Sequence, residues 1–122
     1  MSVTGPSFVS VQVRDLAASA TFYEEQLGLT RLPIPNPDAV IFATTPIAFA
    51  VRKPLPGVDL DAAPQLGAGV SIWLHDSDPA DLHQRLAGAG IQIAVEPFDG
   101  PFGLTFAFRD PDGYVITIHD KA

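Results

Sequence analysis

Apolar and polar residues alternate through Val9-Ser10-Val11-Gln12-Val13-Arg14-Asp15. The same alternation returns 61 residues later, in Val70-Ser71-Ile72-Trp73-Leu74-His75-Asp76. A period of two is that of a half-buried strand. Phe8 to Arg14 is therefore predicted as the first strand. Asp15 is placed to cap a helix whose Leu16, Ala20, Tyr23 and Leu27 fall on one face, and Gly28 to stop it. Leu29 to Pro33 predicts a short strand. Pro33-Ile34-Pro35-Asn36-Pro37 excludes helix and central strand and predicts a turn. Ala39 to Thr44 and Ile47 to Arg52 predict two further strands.

Lys53 to Gly67 carries Pro54, Pro56, Gly57 and Pro64 and is predicted as a linker, about 53–68, between two copies. The second copy begins near Gly69. Asp78-Pro79 predicts a cap followed by Pro at the first helical position. Leu82, Leu86 and Ala89 form the apolar stripe, and Gly90 ends the helix. Ile91 to Val95 predicts a strand, and Pro97 to Gly103 a loop. Leu104 to Arg109 and Tyr114 to His119 predict a hairpin around Asp110-Pro111-Asp112-Gly113. Each copy is βαβββ, about 7–52 and 69–120. A fold built of two similar halves tends to place a ligand between them.

Composition narrows the function. A chain of 122 residues that is 47% hydrophobic suits one α+β domain with a real core. A net charge of −7 argues against nucleic acid, which needs a basic face. No run of 18 apolar residues and no basic-then-apolar leader is found, so a soluble, untargeted, cytoplasmic protein without membrane partners is expected. The absence of cysteine excludes disulfides, thiolate metal sites and Cys nucleophiles, and fits a reducing compartment.

Val13-Arg14-Asp15-Leu16, with Ser19, Phe22-Tyr23 and Leu27-Gly28-Leu29, resembles the first module of the vicinal oxygen chelate superfamily. Arg109-Asp110-Pro111-Asp112-Gly113-Tyr114-Val115-Ile116 resembles the end of its second module. That superfamily includes glyoxalase I, extradiol dioxygenases and bleomycin resistance proteins. The resemblance spans nearly the whole chain. It implies two four-stranded sheets pairing into an open, eight-stranded, barrel-like cavity, usually in a homodimer, with the modules around one cavity drawn from one chain or two.

Enzymes of the superfamily hold a divalent metal with residues from the first and last strands of each module. Here the resemblance puts Phe8, Ala48, Gly69 and Thr117 at those positions, a set without a strong metal donor. If Gly69 lies beside Thr117, then His119 lies beside Ser71. His75 is then roughly 13 Å further along, too far from His119 to share an ion. His83 is expected on the outer helix, solvated. No metal and no cofactor are expected.

Strand parity predicts which side chains face the cavity. Val9, Val11, Val13, Val70, Ile72 and Leu74 belong beneath the helices. Phe8, Ser10, Gln12, Arg14, Gly69, Ser71, Trp73 and His75 belong to the other face, with Ala48, Ala50, Arg52, Val115, Thr117 and His119. Trp73, the only Trp, is a stacking platform for a planar ligand, a cavity filler or a dimer contact. Phe98 and Phe102 either close over the ligand or anchor their loop. Gln12 supplies an orienting hydrogen bond or is solvated. Arg14 and Arg52 are surface charges, ion-pair partners or, for Arg52, a ligand contact.

Ser10 and Ser71 have no placed base, so no catalytic residues are assigned. The first reading is a metal-independent protein of the bleomycin resistance-like kind that sequesters a small aromatic or heteroaromatic molecule, such as an antibiotic. The second is a metal-free enzyme of lyase or isomerase type with His75, His119 or Arg52 as acid–base groups. A third is a protein-association module without a ligand.

Overall fold

The computed structural model describes residues 2–121. The chain divides into two compact units, with the boundary after Ala62. Each unit is one βαβββ module.

In the first unit, strand β1 (Phe8–Gln12) leads to helix α1 (Leu16–Glu25), then β2 (Thr30–Arg31), β3 (Ala39–Ala43) and β4 (Ala48–Arg52). The sheet order is β1-β4-β3-β2. Strands β1 and β4 run parallel, with Phe8 beside Ala48, Ser10 beside Ala50 and Gln12 beside Arg52. Asp15 caps α1 by accepting from the Ala18 N–H at 3.1 Å, as the sequence predicts. Tyr23 turns from α1 onto the sheet, its ring 5.2 Å from that of Phe49 and 6.1 Å from that of Phe42. Val11, Val13 and Val51 are buried in the same core, so the parity reading of β1 holds.

In the second unit, β5 (Ile72–His75) leads to helix α2 (Pro79–Gly88), then β6 (Ile93–Gly100), β7 (Gly103–Arg109) and β8 (Val115–His119). The sheet order is β5-β8-β7-β6. Leu82 and Leu86 of α2, Phe106 and Phe108 of β7, and Ile116 and Ile118 of β8 are buried. Strand pairing stays inside each unit as two four-stranded sheets. The expected α+β fold of two βαβββ modules is the one found, and among the described residues the two sheets are not closed into a barrel.

Three further expectations change. The predicted loop from Pro97 to Gly103 is mostly strand. Phe98 pairs with Thr105 and Asp99 with Leu104, so only a tight turn remains at Pro101 and Phe102. Pro97 lies where the register shifts between Val95 and Phe98, a place that tolerates a missing N–H. Asp78 caps α2 through the Asp81 N–H at 3.2 Å, as the sequence predicts, so Asp78 and not Asp76 of the echoed strand is the counterpart of Asp15. The true repeat is two residues longer than the sequence echo, and Ser71, not Gly69, corresponds to Phe8. Finally, His83 is not simply solvated. It is half-buried, with its ring 5.4 Å from that of Phe106 and its Nε2 3.2 Å from a Glu96 carboxylate oxygen.

The segment between β4 and β5 is tied down at both ends. Leu55 N–H donates to the Gln12 side-chain oxygen at 2.8 Å. Arg14 reaches Asp61 at 2.6 Å. Gln65 donates to the Gly113 carbonyl at 2.9 Å. No helix among the described residues is long and apolar enough to cross a membrane.

Candidate functional site

Each sheet packs its helix on one face and places the remaining side chains on the opposite, far face. In the first unit the far face carries Phe8, Ser10 and Gln12 from β1, and Ala48, Ala50 and Arg52 from β4. Two of these side chains already have structural work. The Gln12 oxygen holds Leu55, and the Arg52 Nε–H donates to the Lys53 carbonyl at 3.0 Å. The Gln12 oxygen thus already accepts one hydrogen bond within the fold. Arg14 is an ion-pair partner of Asp61.

The second unit gathers the aromatic side chains. Trp73 stands beside Thr117, and His75 beside His119, across the parallel pair β5 and β8. The Trp73 ring meets those of His119 at 5.4 Å and Phe102 at 5.7 Å, both edge to face. Phe102 and His119 are 6.3 Å apart. Rings held at such separations attract through their quadrupoles as well as by area burial. Trp73 is nevertheless 44% exposed and Phe102 52%, so two large aromatic side chains remain available to a ligand.

Between this cluster and β6 lies a floor of small side chains. Thr117 is followed across β7 by Ala107, and His119 by Thr105. Phe98, 47% exposed, is next to Thr105 on the opposite side. Its ring lies over Gly100, where a Cβ would come within 2.9 Å of it. Phe98, Phe102, Thr117, Trp73 and His119 therefore share one far face. Ser71 immediately precedes β5, one residue outside the paired register.

The expected separation of His75 and His119 is wrong. They are cross-strand partners, with ring centroids 6.2 Å apart. The register of β5 on β8 is four residues from that assumed when Gly69 is set beside Thr117. The Nδ1 of His119 is buried without a hydrogen-bond partner among the described residues.

Sequence reasoning also left out Thr105, Ala107 and Arg109. The signal was present: in β7 these positions alternate with Leu104, Phe106 and Phe108. Arg109 donates from Nη1 to the Gln65 side-chain oxygen at 2.9 Å and to the Gly113 carbonyl at 3.3 Å. Most other cations on the chain are paired with carboxylates: Arg14 with Asp61, Arg31 with Glu24, Arg85 with Asp81 and Lys53 with Asp38. Arg31 donates to the Glu24 carboxylate, and that hydrogen bonding raises the guanidinium pKa above its ordinary value.

The fold and this face define a two-module α+β protein of the vicinal oxygen chelate type. The chain belongs to the Glyoxalase/Bleomycin resistance protein/Dioxygenase superfamily, whose family model matches residues 5–118. Among solved structures it is similar to TnmS3, an antibiotic binding protein from Streptomyces sp. CB03234. That match has 24% identity and a TM-score of 0.76, covering 100% of this chain and 99% of that one. It is also similar to a glyoxalase/bleomycin resistance protein from the same Streptomyces strain, at 23% identity and TM-score 0.74, covering 95% and 100%. A lactoylglutathione lyase from Agrobacterium tumefaciens matches at 18% identity and TM-score 0.69, covering 97% and 94%. No curated protein sequence matches the chain.

The donor set does not fit the metal that enzymes of this superfamily use. With the repeat corrected, the implied positions carry Phe8, Ala48, Ser71 and Thr117. Two of these have no donor atom, and two offer only a neutral hydroxyl. His75 and His119 adjoin, but no group of three or more His, Cys, Asp or Glu side chains able to hold an ion occurs among the described residues.

Proposed function

We propose that this protein binds a small planar aromatic or heteroaromatic molecule, such as an antibiotic, and neutralises it by sequestration, without metal or cofactor. The observation that carries this reading is the Trp73, Phe102 and His119 cluster, with exposed indole and phenyl faces beside a floor of small side chains. Thr105 and Ala107 are themselves buried, so a ring would lie against the exposed faces of Trp73 and Phe102 and bury apolar area there. Similarity to an antibiotic binding protein of the same fold supports the reading. The weak donors at the implied positions Phe8, Ala48, Ser71 and Thr117 support a reading that uses no Lewis acid.

The test is a panel of planar aromatic antibiotics screened by thermal shift and native mass spectrometry. The bound compound is then extracted and weighed. One or more members should raise the melting temperature and return with unchanged mass. A product of altered mass, or no shift from any member, would refute sequestration.

One observation favours a second reading, a metal-free enzyme: the two imidazoles of His75 and His119 lie side by side. One could accept a proton while the other donates. Turnover abolished by both His75→Gln and His119→Gln would establish it.

A further inference from the structure

Five arginines stand in the chain. Arg14, Arg31 and Arg85 each touch a carboxylate. Arg109 touches none among the described residues. Its two hydrogen bonds run from Nη1 to neutral carbonyl oxygens of Gln65 and Gly113. The side-on edge of the guanidinium, formed by Nε and Nη2, has no partner among the described residues. Arg52 also lacks a carboxylate among the described residues, but its Nε donates to the Lys53 carbonyl, which engages that edge. A half-buried guanidinium left without a counter-ion is unusual in a chain with 14 acidic and 7 basic residues.

The position of Arg109 connects it with the aromatic cluster. Alternation along β7 puts it on the far face with Thr105 and Ala107. Its cross-strand partner is Val115, two residues before Thr117, the neighbour of Trp73. Trp73 and Arg109 are thus two strands and two residues apart, about 12 Å between Cα atoms by sheet geometry. Thr117 and Ala107, both small, fill the interval. A two- or three-ring molecule spans that length. The open Nε/Nη2 edge matches the two oxygens of a carboxylate, which pairs with it through parallel hydrogen bonds.

We propose that the ligand is an anion: a planar polycyclic aromatic carboxylate that stacks on Trp73 and docks its carboxylate on the open edge of Arg109. This rests on the small-molecule reading above and adds the charge of the ligand to it. Arg109 has a second role, holding Gln65 and the 110–113 turn, and the test must separate the two.

Anthraquinone-2-carboxylate and anthraquinone-2-carboxamide share one ring system and differ in charge. Both are titrated against the full chain, following quenching of Trp73 fluorescence. The carboxylate should bind about tenfold more tightly than the amide, the range of a charged hydrogen-bonded pair. Arg109→Gln should remove that preference by weakening the carboxylate alone, and Arg109→Lys should keep part of it. Equal affinities in the unaltered protein would overturn the proposal. So would an Arg109→Gln variant that weakens both compounds equally, which marks a purely structural arginine. If Arg109→Gln does not fold, the ratio in Arg109→Lys decides: a ratio unchanged from the unaltered protein overturns the bidentate pairing. Binding of neither compound would overturn the small-molecule reading and this proposal with it.

Discussion

The indole of Trp73 and the imidazole of His119 meet edge to face, 5.4 Å between ring centroids, although 46 positions separate them in the chain. The contact exists because β5 and β8 run parallel with Trp73 beside Thr117 and His75 beside His119. It turns two isolated polar-face residues into one aromatic surface, completed by Phe102 from the β6–β7 turn.

That turn depends on Gly103. Its φ is +90°, and a Cβ there would collide with the Asp120 carboxylate, which accepts from the Leu104 N–H at 3.0 Å. Gly103→Ala should cost about 1–3 kcal/mol in backbone strain, with the collision added, and should displace Phe102. Gly28→Ala provides the control, since Gly28 has a φ of +73° and open space around its Cβ. Urea denaturation should show the larger loss at Gly103, and only that variant should also weaken ligand binding.

The 110–113 turn hangs on one carboxylate. Asp110, 5% exposed, accepts from the Asp112 and Tyr114 N–H groups at 2.9 and 3.0 Å. Asp110→Ala strands both donors and should lower stability by about 1–3 kcal/mol. Asp110→Asn keeps one acceptor oxygen and should recover part of it. Equal losses in the two variants would show that the hydrogen bonds are not what matters.

Elements and faces were legible in the sequence, because strand alternation and capping are local signals. Asp15, Pro79, Leu82 and Leu86 all lie where the periodicity places them, and Trp73 stands on the polar face of β5 as its neighbours Ile72 and Leu74 require. Parallel register was not legible. Alternation fixes which face a residue occupies but not which residue of the parallel neighbour it lies beside, and β5 sits on β8 with Trp73 beside Thr117. The His75–His119 neighbourhood follows from that register, and the Ser71 counterpart of Phe8 from pairing Asp15 with Asp78, the residue that caps α2. Arg109 sits where two signals overlap, since it ends the β7 alternation and also opens the Asp110-Pro111-Asp112-Gly113 turn string.

Melting the protein with and without a strong chelator probes the metal. With Phe8, Ala48, Ser71 and Thr117 at the implied ligand positions, the melting temperature should be the same in both, and elemental analysis should find no stoichiometric divalent ion. A lowered melting temperature together with one zinc, nickel, manganese or iron per chain would contradict this.

Both sheets leave outer strands paired on one side only: β1 and β2 in the first, β5 and β6 in the second. Such edges are commonly covered by association. Sedimentation equilibrium at tens of micromolar should give a homodimer. A species of 12.9 kDa alone would reject it.

Trp73 is the sole tryptophan, so its fluorescence reports directly on the surface assigned to the ligand. A planar aromatic compound that binds should quench it in a saturable way. Stacking on an indole contributes on the order of 1 kcal/mol beyond area burial. Trp73→Ala should therefore weaken binding, followed by calorimetry, about fivefold or more while leaving the circular dichroism spectrum intact. A compound that binds this protein with the same affinity after Trp73→Ala would contradict the stacking role and leave Trp73 as a packing residue.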